Sequence, residues 1–163
     1  MNITTQFYKN IYLPSKEVLL KISPLKFSPE ADQLLMTIAG QESNWEYRKQ
    51  ISGPARSFWQ FESGGGVKGV LNHVSTKKLI SDICNQLFIT CDQANVYDAM
   101  AYNDVLALAM ARLLLWTDPK SLPSIGNLPD SWNYYNRNWR PGKPHPETWT
   151  LKYNYSLTAI NLN

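Results

Sequence analysis

Between Val105 and Trp116 the chain reads VLALAMARLLLW, twelve residues of which only Arg112 is charged. A helix that is apolar all round has no face to offer water, so it must be enclosed by protein. The run is also well short of the roughly 20 residues that cross a bilayer, so no membrane span is expected. The pattern predicts a helix over 103–116, ended by Asp118-Pro119, with other elements packed around it. At 163 residues the chain is long enough to do this as one domain with a sizeable core. No segment alternates apolar and polar residues convincingly, so no strand is predicted and the class is mainly α.

The remaining elements follow from caps and periodicity. Pro14-Ser15 is read as the start of a short amphipathic helix with Val18, Leu19 and Ile22 on one side, and residues 1–27 as an N-terminal helical extension. Ser28-Pro29-Glu30 is a stronger start signal, with a capping serine, proline at the first helical position and an acid in the first turn. The helix it opens carries Ala31, Leu34, Leu35, Ile38 and Ala39 at 3.6-residue spacing. From Ile51 to Gly69 the period fails; Gly53-Pro54 and Gly64-Gly65-Gly66 predict a loop or small hairpin. A second amphipathic helix is predicted over 77–88, with Leu79, Ile80, Ile83, Leu87 and Phe88 on one face. Asp130 is read as the cap of an aromatic helix over 131–139. The three prolines of RPGKPHPETW predict an extended tail over 141–163, packed on the domain by Trp139, Trp149 and Tyr153.

Charge and cysteine content exclude several functions. A net charge of +3 is too small to argue for nucleic acid, though it suits approach to an anionic surface. Cys84 and Cys91 are expected as free thiols, and His73 and His145 lie too far apart in sequence for a zinc set, so neither metal nor other cofactor is called for. The opening MNITTQFYKN lacks a basic stretch followed by an apolar one, so no signal peptide is read. The expected place of synthesis is a cytoplasm, and a substrate outside it would require separate delivery.

One residue breaks the apolar stripe of the second helix. At 100° per residue Glu42 lies about 20° from Leu35 and about 40° from Ile38, on the face that packs inward. Burial disfavours an ionised carboxyl, so Glu42 is expected to hold its proton near neutrality. A neutral acid in a cleft is what glycosidic cleavage requires, because the leaving oxygen departs poorly until protonated. The plainer alternative is a helix that ends near Ala39 and leaves Glu42 in water.

The strings GQESNW, SGPARSFWQFE and YYN, in that order, resemble glycoside hydrolase family 23, the goose-type lysozymes and soluble lytic transglycosylases. The resemblance implies a single lysozyme-like domain over 1–163 that cleaves the β-1,4 bond between N-acetylmuramic acid and N-acetylglucosamine in bacterial peptidoglycan. It implies Glu42-Ser43 as the catalytic acid and its following serine, and Ser57, Trp59 and Gln60 as cleft lining. It also implies Tyr135-Asn136 as the pair whose tyrosine meets the acid. Ser57 stands where the family has glycine, Phe58-Trp59 where it has Leu-Met, and Arg137 where it has a small residue. The string WRPGKPHPE looks like proteins of tailed phages, which implies work in infection or host lysis. Virion proteins then join glycan strands as partners, and delivery is by the virion or by membrane permeabilisation.

Two chemistries fit one acid. A hydrolase needs a second carboxylate. The resemblance to goose-type lysozymes, which keep an acid a short way after the motif glutamine, implies Glu62, two residues after Gln60, against the plainer alternative of a solvated loop glutamate. Asp98 and Asp104 are weaker candidates. A lytic transglycosylase needs none. Trp45, Trp59 and Tyr135 are candidate sugar-stacking surfaces, whereas Trp116, Trp132 and Trp149 are assigned to the core. Arg56 and Arg140 are candidates for contacts to substrate carboxylates. The rival functions are a catalytically inactive lysozyme-like virion structural protein and a peptidoglycan-binding module.

Overall fold

The structure, a computed structural model, describes residues 2–161. It is mainly α-helical and contains no sheet. In chain order the helices are α1 (Ile3–Phe7), α2 (Leu13–Ile22), α3 (Pro29–Ser43), α4 (Lys68–Asn72), α5 (Lys77–Gln86), α6 (Gln93–Ala99), α7 (Asp104–Thr117), α8 (Leu128–Trp139) and α9 (Pro146–Asn161). Helix α7 is the enclosed element the sequence demanded. Asn103 caps it by accepting from the Leu106 N–H, and nine of its residues are buried. Among the described residues no single helix is long and apolar enough to cross a membrane.

The N-terminal helix starts earlier than Pro14. Asn2 caps α1, and a π-helical turn over Tyr8–Tyr12 carries the chain without a break into α2. Proline removes a ladder donor and clashes with the carbonyl four residues back. Here the Leu13 N–H bonds to the Tyr8 carbonyl, five residues back, so the widened turn sits where Pro14 interrupts the regular ladder. Of the three residues assigned to its apolar side, Leu19 is buried, Ile22 half-buried and Val18 exposed.

Helix α3 keeps its predicted start, with the Ser28 hydroxyl accepting from the Ala31 N–H and Pro29 at the first position. It runs past Ala39 to Ser43 and is stopped by Asn44 in the left-handed region, φ 56°. The segment after it holds isolated bridges, Lys49 with Arg56 and Arg56 with Phe61, rather than strands. This fits the loop or small hairpin expected there.

Four expectations need correction. Phe88 does not lie on the buried face of α5: the helix ends at Gln86, and Phe88, at φ 57°, is 97% exposed. The cap of α8 is Asn127, which accepts from the Asp130 N–H, because Pro129 is accommodated in the first turn rather than preceding it. Trp116, assigned to the core, is 42% exposed near the end of α7, with the Arg112 guanidinium 5.3 Å over its ring. The extended tail is the largest correction. Only its first residues are non-helical, and Pro146 opens α9, where a proline costs nothing because the first N–H of a helix has no intrahelical partner. Helix α9 packs along α3 and also meets α1 and α8. Trp149 and Tyr153 are buried in it, as the sequence suggested.

Close packing beneath α3 depends on Gly40. A Cβ there would lie under 3.0 Å from three carbons of the Trp45 indole. Gly40→Ala is therefore expected to destabilise the fold by about 1–3 kcal/mol despite alanine's better helix propensity. Thermal unfolding of the two proteins checks this.

Candidate active site

Glu42 sits in the last turn of α3 and faces an open cleft of about 1310 Å³. Its carboxyl accepts a 2.7 Å hydrogen bond from the Tyr135 hydroxyl of α8, across 93 residues of sequence. Burial pushes the Glu42 carboxyl from its ordinary 4.5 up to about 7, and the Tyr135 bond pulls the other way without cancelling the rise. Tyr135 in turn is raised well above its ordinary value, by its own burial first and by the nearby carboxylate second, so it stays a donor.

The phenol is held from behind. The Tyr135 ring stacks on Trp149 of α9 with centroids 4.9 Å apart and planes at 21°. Trp132 meets both rings at 5.4 Å, and the Trp149 indole N–H donates to Ser131 Oγ. Beside the acid, the Gln41 amide donates to the His145 carbonyl and accepts from the Thr148 hydroxyl, which ties α9 to the C-terminal end of α3.

Of the residues assigned to the site from sequence, Glu42, Gln60, Glu62 and Tyr135 line this one cleft. Glu62 is exposed there, just ahead of the glycine run. Gln60 is fixed by amide bonds to the carbonyls of Ser57, at 2.7 Å, and of Tyr47. Glu42 and Glu62 are the only carboxylates among the described residues lining the cleft. Asp104 is instead paired with Arg48, with N–O contacts of 2.7 and 3.0 Å, and Asp98 does not reach the cleft.

Six more of the residues singled out from sequence lie elsewhere. Trp45 and Trp59 are buried, and their indole N–H groups donate to the Met36 and Leu35 carbonyls. They brace α3 from within and offer no face to a sugar. Ser43 is buried and bonds back to the Ala39 carbonyl. Ser57, also buried, holds the left-handed turn at φ 66° and accepts from the Trp59 N–H. Asn136 lies outside the cleft, and its carbonyl receives the Arg140 N–H that ends α8. Arg56 is spent on the Pro54 carbonyl and the Tyr97 ring, whereas Arg140 does line the cleft.

The cleft also contains residues the sequence reading passed over, notably Gln41, Lys68, His73, Asn138 and Lys143. Gln41 had a signal, being adjacent to Glu42. Lys143 sat inside the proline-rich string, where proline density obscured the cations. Compared with known proteins, the chain matches no family profile, no curated protein and no solved structure.

The raised Glu42 carboxyl has a consequence for stability that does not depend on any substrate. The folded state holds this proton more tightly than the unfolded chain, so stability is unaffected below about pH 4.5 and falls as pH rises towards about 7. Glutamine has no proton to lose. The stability of Glu42→Gln relative to the wild type is therefore expected to improve by about 2–3 kcal/mol between pH 4 and pH 8. Urea titrations at the two pH values measure it, and a constant difference would show that the carboxyl is not perturbed.

Proposed function

We propose that this protein cleaves the β-1,4 glycosidic bond between N-acetylmuramic acid and N-acetylglucosamine in bacterial peptidoglycan, with Glu42 as the proton donor. The observation that carries the reading is a half-buried carboxyl, held protonated near neutrality and aimed by a tyrosine into an open cleft. A carboxyl raised to about 7 stays protonated below neutrality and can deliver that proton to the glycosidic oxygen as the C–O bond breaks. The motif order that resembles glycoside hydrolase family 23 supplies the choice of sugar polymer. The string WRPGKPHPE, which looks like proteins of tailed phages, supports action in phage infection or host lysis, with delivery to the wall by the virion or after membrane permeabilisation.

The presence of Glu62 on the same cleft favours hydrolysis over internal transglycosylation. In an inverting hydrolase, one carboxylic acid protonates the leaving oxygen while a carboxylate removes a proton from water on the opposite face. Glu62 is exposed to the solvent that would supply that water. A lone acid would instead pass the sugar to its own 6-hydroxyl and leave a 1,6-anhydro end.

Three measurements test the reading. Glu42→Gln is expected to lower the rate on purified walls by about 10²–10⁴-fold while keeping the fold, the usual worth of general acid catalysis. Wild-type clearance by the folded variant would end the proposal. In the wild type, activity should fall as pH rises through about 7, because only protonated Glu42 can donate. Tyr135→Phe removes the bond that lowers the acid's pKa, so this alkaline limb should move to higher pH as turnover drops. Mass spectrometry of wild-type digests is expected to find reducing muramyl ends, with a sharp activity loss in Glu62→Gln. Anhydro ends together with full activity in Glu62→Gln would assign the chain to the transglycosylases.

A further inference from the structure

Between α8 and α9 the chain crosses the cleft as a short strap, Arg140 to His145, with the sequence RPGKPH. Both ends are pinned. At one end the Trp139 indole N–H donates to the Trp59 carbonyl at 2.9 Å and its ring meets Phe61 edge-on. At the other, the His145 carbonyl accepts from the Gln41 amide at 3.0 Å, immediately beside Glu42. Pro141 and Pro144 fix two of the strap's φ angles, so little freedom remains between the anchors.

The strap adds cations to the cleft that form no ion pair among the described residues. Arg140 and Lys143 line it from the strap and Lys68 from the start of α4, all three exposed. None of the three takes part in an ion pair among the described residues. Arg137, the fourth cation of the lining, differs in being held by Asp118 at 2.7 Å. Among the described residues the Arg140 side chain makes one hydrogen bond, from Nε to the Arg137 carbonyl at 3.4 Å, which leaves both terminal nitrogens for a ligand. These three cations outnumber the two carboxylates of the lining even when both are ionised, and burial raises the Glu42 carboxyl to about 7. A cleft of that charge favours an anionic substrate.

We propose that the strap is an anion-binding subsite, in which Arg140 and Lys143, aided by Lys68, hold carboxylates carried on the lactyl side of the muramyl sugar. This rests on the glycan-cleaving reading of the cleft. Those carboxylates have two sources, the stem peptides and the lactyl group itself once a peptide has been removed. Guanidinium and ammonium donors bind either by charge-assisted hydrogen bonds. Such a carboxylate carries the same charge before and during bond cleavage, so holding it is uniform binding, which acts on KM rather than kcat.

The test compares the wild type with Arg140→Gln/Lys143→Gln on three substrates: intact sacculi, strands stripped of peptides by an amidase, and uncharged chitooligosaccharides. On intact sacculi the double variant is expected to raise KM about tenfold with kcat within about twofold, and to weaken the dependence on salt. On chitooligosaccharides it is expected to match the wild type. A loss confined to intact sacculi assigns the stem-peptide carboxylates, a loss confined to stripped strands assigns the lactyl carboxylate, and a loss on both assigns both. Unchanged KM on both intact sacculi and stripped strands overturns the subsite, and so does an equal loss on uncharged oligomers. Co-sedimentation of the Glu42→Gln protein with intact sacculi, with and without the strap substitutions, reads binding apart from cleavage. If the wild type cleaves nothing, the activity fails alone, and the subsite stands or falls on whether those substitutions weaken sedimentation about tenfold.

Discussion

The hydrogen bond from Tyr135 to Glu42 is the contact that the rest of the architecture is built to preserve. A carboxyl on an inward-facing helical stripe is costly to bury, and one phenol donor offsets part of that cost. For the phenol to reach it, α8 must lie against the C-terminal end of α3. For the phenol to stay, its ring needs a wall, and Trp149 supplies one from α9. One hydrogen-bond donor and one acceptor thus join α3 to a pair of helices, α8 and α9, that lie far downstream in the sequence.

Helix α3 is also kept in place by two buried indoles. The indoles of Trp45 and Trp59 each fill core volume and each place an N–H on a carbonyl of the same helix. Two large aromatic side chains with satisfied polar atoms give both burial and orientation, a combination that aliphatic residues cannot supply. Gly40 is the complement of this arrangement, since the Trp45 ring occupies the space a side chain would need. The loop that follows α3 therefore works inward as a brace and outward, through Gln60 and Glu62, as a cleft wall.

Much of this was legible in the residues themselves. The cap at Ser28-Pro29 and the stripe from Ala31 to Ala39 located α3, and continuing that stripe by one turn placed Glu42. The uniform apolarity of residues 105–116 located α7 and its burial. The pairing of Tyr135 with Glu42 came from motif order, not from any local pattern. Other features were hidden for physical reasons. Tryptophan in a glycine-rich loop is compatible with either a sugar surface or a core brace, and only tertiary packing separates the two for Trp45 and Trp59. Prolines at 141, 144 and 146 look alike in sequence, yet two stiffen a strap and the third starts a helix. The π-helical turn before Pro14 has no periodic signature, since it displaces the ladder by a single residue.

The position of α9 bears on when the site exists at all. Its Trp149 lies downstream of every residue it supports, so a ribosome reaches Glu42, Gln60, Glu62 and Tyr135 before it makes the wall behind the phenol. A nascent chain that has displayed α3 and α8 still has an unbacked tyrosine and an untethered Gln41. Competence arrives with the last helix described, in one step. Clipping within the strap would sever that helix from α8 in the chain, and the whole constellation would then depend on the packing of α9 alone.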